Sequence, residues 1–130
     1  MPQDNVTLLD FLRHGEPVGG SRYRGNGVDD PLSELGWRQV RDTTSAIGGW
    51  QKIVSSPMRR CLPFAQWLAK QQDLPLEVID DLKEVGFGAW EGENREQLRQ
   101  DRAEEYRAFY RDPVNNRPPG AEPLEDFCNR

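Results

Sequence analysis

The sequence predicts an α/β domain in which a mainly parallel sheet is flanked by helices, on three observations. Short apolar or β-branched runs at 7–12, 52–57 and 76–79 stop abruptly at polar residues, stretches with helical periodicity separate them, and the chemically capable side chains gather just beyond the runs. In such sheets functional groups collect outside the carboxyl ends of the strands. A chain of 130 residues supports one core and is too short for two.

Taken in order, residues 7–12 (TLLDFL) read as a buried strand that delivers Arg13, His14, Gly15 and Glu16 at its carboxyl end. Residues 18–31 hold four Gly, no apolar period and two Arg, and read as a loop. Ser33 is an N-cap candidate for a helix whose apolar stripe is Trp37, Val40, Thr44 and Ile47 and which Gly48 and Gly49 end. Residues 52–57 are a second strand. Met58, Cys61, Leu62, Ala65, Leu68 and Ala69 then form a helical stripe interrupted by Pro63, so either the first turn is distorted or the regular helix begins near that proline. Residues 76–79 are the third strand, 86–92 a Gly-rich loop, 94–111 a polar helix and 112–120 a Pro-rich loop. The last residues, 122–130, open a new apolar pattern at Leu124, Phe127 and Cys128 that stops after about two turns, as though the chain were cut within an element.

Composition narrows the function classes. A net charge of −5 argues against general nucleic-acid binding, which needs a basic footprint. No apolar stretch is long enough to cross a membrane, and the first residues lack the basic flank and apolar core of a secretory leader, so a cytoplasmic protein is expected. Two Cys, far apart, and a single His leave little for a zinc site and read as reduced thiols. Of the 17 basic residues 14 are Arg, whose planar fork suits phosphate or carboxylate oxygens.

Position gives that excess a meaning. His14 follows Arg13 at a predicted strand end, and Gly15 permits close approach of backbone or ligand. An imidazole attacks phosphorus when one nitrogen is unprotonated and a hydrogen bond orients the other. An adjacent guanidinium holds the oxygens of the transferring group.

The block 11–16 (FLRHGE) resembles the signature of the histidine phosphatase superfamily, the phosphoglycerate-mutase-like proteins. The likeness continues through Gly25, 29–33 (DDPLS) with Gly36 and Gln39, 55–61 (SSPMRRC), 82–84 (LKE) with 87–92, and 118–122 (PPGAE). It implies a three-layer phosphoglycerate-mutase-like fold and a metal-independent phosphomonoester hydrolase that needs no cofactor. His14 matches the nucleophile that becomes transiently phosphorylated. Arg13 and Arg60 match phosphate ligands, Arg60 rather than Arg59 because the family's Arg directly precedes the small residue that here is Cys61. Glu84 matches the general acid and base. Arg22 and Arg24 lie where members place substrate contacts. Trp90 reads as packing and Cys61 as a buried, inert thiol.

Within the family the wording most resembles α-ribazole phosphatases, which release phosphate from the ribazole nucleotide late in cobalamin assembly; phosphoglycerate mutases and broad-specificity sugar-phosphate phosphatases share the same blocks. The implied partner is a small phosphate ester, with no nucleic acid or membrane. Members also carry a second His at the end of a late strand that inserts between the strands matched by 7–12 and 52–56. This chain has one His. The expectation is therefore residues 1–130 as the N-terminal portion of a single domain, incomplete at its C-terminus. Two other readings stand beside it: a short protein completed as a homodimer or strand-swapped oligomer, or a catalytically inactive module that binds phosphate esters.

Overall fold

The computed structural model describes residues 5–130. Its helices are α1 (Glu34–Ser45), α2 (Leu62–Gln72), α3 (Arg95–Asp101), α4 (Ala103–Arg111) and α5 (Leu124–Asn129), and its strands β1 (Ile53–Ser55) and β2 (Leu76–Val78). The expected α/β architecture is present: β1 and β2 pair in parallel, Ile53 opposite Leu76 and Ser55 opposite Val78, with α2 as the crossover packed against both.

Local chemistry explains the limits of these elements. Ser33 caps α1 by accepting from Gly36 N through its side chain, and Val40 and Thr44 of the expected stripe are buried; Ile47 lies beyond the helix and is exposed. Pro63 sits in the first turn of α2, where its missing N–H costs nothing, so the later helix start is the one observed. Asp73 ends α2 in the left-handed conformation.

Two expectations are corrected. Residues 7–12 form no strand; Leu8 and Phe11 are 87% and 92% exposed. A strand exists by pairing its backbone, and among the described residues β1 is bonded to β2 alone, with nothing laid beside 7–12. Trp50 Nε1 donating to Asp10 Oδ2 at 2.7 Å tethers the segment. The single helix over 94–111 is broken at Arg102, which leaves helical geometry between α3 and α4. A polar helix is shaped by its packing more than by propensity. Here the packing centre is Trp90, 1% exposed, which gathers Leu98 of α3 and Tyr106 and Phe109 of α4 around itself and Tyr23. Trp90 is thus a packing side chain, as expected.

The core has two parts. One joins α1 to α2 through Leu32, Val40, Phe64 and Leu68, with Trp37, Trp50, Ile53 and Trp67 at its border. The other is the Trp90 cluster. The loop at 18–31 bridges them: an antiparallel bridge of Pro17 with Leu32 closes its base, and Tyr23 exchanges backbone hydrogen bonds with Gly92 and Glu93.

Candidate active site

Because β1 and β2 run parallel, the residues that follow them emerge at the same end of the sheet. Beyond β1 a tight turn, with Met58 O accepting from Cys61 N and Leu62 N, turns Arg60 inward. Beyond β2 a single turn of 3-10 helix at Asp80–Leu82 leads to Glu84. The segment 13–16 comes to the same end through a close backbone approach: a Cβ on Gly15 would collide with the carbonyl of Gly36, and one on Gly36 with the carbonyl of Glu16. Ser33 N and Oγ both donate to Glu16 O, and Gln39 Oε1 accepts from Glu16 N, fixing that approach on the first turns of α1.

The result is a cleft of about 310 Å³ lined by His14, Ser56, Arg60, Lys83, Glu84 and Arg130, among others. His14 is half-buried, and its Nδ1 lies 2.8 Å from the carbonyl of Gly15. A carbonyl only accepts, so Nδ1 carries the proton, and in the neutral ring the lone pair is on Nε2. Burial lowers the His14 pKa first, the Gly15 hydrogen bond opposes this, Arg60 and Arg13 lower it further and Glu84 raises it; the net direction is down. The surroundings therefore favour the neutral imidazole.

Arg60 is 4% exposed, and its guanidinium donates to the carbonyls of Gly25 at 2.8 Å and Val28 at 3.4 Å. Among the described residues no carboxylate pairs with it. A buried cation bonded only to carbonyls retains its full charge for an anion in the cleft. Glu84 is exposed on the cleft wall, with Oε1 accepting from Val85 N at 2.8 Å.

The structure thus brings His14, Arg60 and Glu84 together. Arg13 is exposed and outside the cleft lining, near enough only for its charge to bear on His14. Arg22 and Arg24 also lie outside it: both donate to Asp30 Oδ2, at 2.6 and 2.9 Å, and Arg24 adds bonds to the carbonyls of Val18, Gly20 and Arg22. Burial works against the Asp30 anion, but the hydrogen bonds from Arg22 and Arg24 outweigh it and hold that carboxyl below its usual value. Cys61 is half-buried on the cleft wall, and burial foremost pushes its thiol up. Arg130 is a further cleft residue, and the only trace of it in the sequence is its place eight residues after Glu122.

The profile of the histidine phosphatase superfamily, branch 1, matches residues 9–130. The chain belongs to the histidine phosphatase superfamily. It is 36% identical over 128 residues to a bifunctional protein of Mycobacterium tuberculosis, covering 95% of this chain and 35% of that protein. Adenosylcobalamin/alpha-ribazole phosphatase of Escherichia coli is 28% identical over 126 residues, covering 94% of this chain and 62% of the relative. The solved structure of mycobacterial glucosyl-3-phosphoglycerate phosphatase with VO3 superposes with a TM-score of 0.76 at 33% identity, over 89% of this chain and 59% of that one. This histidine phosphatase chain therefore spans between about one third and three fifths of these relatives.

Proposed function

We propose that the protein hydrolyses phosphate monoesters through a phosphohistidine on His14. The observation that carries this reading is the half-buried imidazole of His14, its Nδ1 on the Gly15 carbonyl, in one cleft with the buried guanidinium of Arg60 and the carboxyl of Glu84. In the first step His14 Nε2 bonds to phosphorus as the ester P–O bond breaks, and Glu84 gives its proton to the leaving oxygen. In the second Glu84 takes a proton from water, which attacks phosphorus and frees His14. Arg60 holds the equatorial oxygens throughout, and Arg13 joins it when the ester is bound. Removing one such positive group costs about 100- to 1,000-fold in rate.

The substrate proposed is α-ribazole phosphate, on the likeness to the E. coli relative and the short loop at 18–31, in a reducing cytoplasm that suits free Cys61 and Cys128. A sugar-phosphate substrate is the second reading, favoured by the higher identity to the glucosyl-3-phosphoglycerate phosphatase. Release of phosphate from α-ribazole phosphate, glucosyl-3-phosphoglycerate and 3-phosphoglycerate by the full product of the reading frame ranks them. The highest kcat/KM on the first is expected; preference for the second installs the sugar-phosphate reading. Tight binding without any phosphate release makes the protein an inactive binding module.

A further inference from the structure

Arg130 lies in the wall of the cleft, where a guanidinium would ordinarily be read as a third phosphate ligand. Its bonds exclude that. A guanidinium has five N–H donors. In Arg130, Nε donates to Glu122 Oε2 at 2.8 Å, Nη2 to Glu122 Oε1 at 2.8 Å and to the carbonyl of Glu84 at 3.1 Å, and Nη1 to the carbonyls of Lys83 at 3.0 Å and Asp81. All five are occupied by protein acceptors, and none is left for an anion. Glu122, for its part, also accepts from Gly86 N at 3.2 Å through Oε1, and its own N–H donates to Gly86 O at 2.9 Å. Phe127 underlies the guanidinium at 4.9 Å.

The pair therefore grips backbone groups of Asp81, Lys83, Glu84 and Gly86. Otherwise this turn, which follows the last residue of a two-stranded sheet and contains one turn of 3-10 helix, is held from outside by a single neutral bond, Asn26 Nδ2 donating to the Glu84 carbonyl at 3.2 Å. We propose that the Arg130–Glu122 pair is a positioning device for Glu84, fixing the turn so that its carboxyl faces the leaving oxygen, and that Arg130 has no part in holding phosphate. The inference rests on the proposed role of Glu84 as general acid. It separates two properties that a phosphate ligand would join: affinity for the phosphoryl group, which Arg130 leaves alone, and protonation of the leaving group, which it governs.

Leaving-group dependence tests this. An alkyl phosphate such as glycerol phosphate needs a proton on its leaving oxygen, whereas p-nitrophenyl phosphate expels a stable phenolate and needs it far less. The full product of the reading frame is assayed on both, and kcat/KM reports the transfer to His14. Arg130→Lys keeps a cation but cannot grip several acceptors along a turn. It is expected to lower kcat/KM on the alkyl ester at least about tenfold more than on p-nitrophenyl phosphate, with inhibition by inorganic phosphate changed less than about threefold. Glu122→Gln, which keeps one acceptor oxygen, is expected to show the same split in milder form, and serves if Arg130→Lys does not fold by its thermal melt. An equal loss on both esters, no loss, or a weakened grip on inorganic phosphate would overturn the proposal. Failure of the unsubstituted protein to hydrolyse either ester would remove the hydrolase reading itself, and the inference with it.

Discussion

His14 illustrates how far one side chain's environment decides its chemistry. Burial, followed after the opposing Gly15 bond by the charges of Arg60 and Arg13, lowers its pKa, so the neutral ring persists below the ordinary value of about 6.5. A base whose folded pKa is depressed contributes no penalty to stability above its unfolded value, and stability falls as pH drops through the folded one. The imidazole resonances of His14 are expected to titrate with a midpoint below 6.5, moving up in Arg13→Gln, which removes a like charge, and down in Glu84→Gln, which removes an attractive one. A midpoint at or above 6.5, or shifts of opposite sign, would contradict the electrostatic account. In sequence, His14, Arg60 and Glu84, which line one cleft, were legible as candidates because each falls just after an expected strand end or in a recognisable block. The occupation of Arg22 and Arg24 by Asp30 was not, because a pairing across a loop without periodicity leaves no spacing to read.

At the scale of the element, that same pairing makes the 17–32 loop a rigid part of the fold. Asp30 takes hydrogen bonds from two guanidiniums, one of them on a side chain only 9% exposed. Asp30→Asn is expected to destabilise the protein by about 1.5–3 kcal/mol at neutral pH, the range for hydrogen bonds to a charged group. The Asp30 carboxyl titrates below its usual value, so its contribution is complete above about pH 4 and is lost as pH falls through the folded pKa. Urea midpoints of the two proteins should therefore converge on acidification; a constant gap would assign the loss to packing. The elements with a cap or a strong apolar stripe, α1 and α2, were read from sequence with their starts nearly right, since Ser33 and Pro63 mark them locally. The 7–12 strand failed because its apolar run states a preference that only a neighbouring strand can satisfy. The break at Arg102 failed because the packing of Tyr106 and Phe109 on Trp90, set by distant residues, overrides helical propensity.

For the whole molecule, the site end is better built than the sheet. Among the described residues the sheet has two strands, Val54 of β1 is 46% exposed, and Val6, Leu8, Leu9 and Phe11 of the preceding segment are exposed as well. An exposed apolar segment and an unpaired strand edge are each templates for association. The 130-residue chain is expected to sediment as a dimer or larger species at high micromolar concentration, and Leu9→Lys with Phe11→Lys to return it to the monomer; a monomeric parent chain would show the segment to be harmless. The central claim concerns the phosphoryl group itself. Incubation of the full product of the reading frame with a 32P-labelled phosphate ester, followed by rapid quench and peptide mapping, tests it most directly. The account predicts acid-labile, alkali-stable label on His14 that is absent from His14→Ala. Turnover without such label, or label retained in that variant, would contradict it.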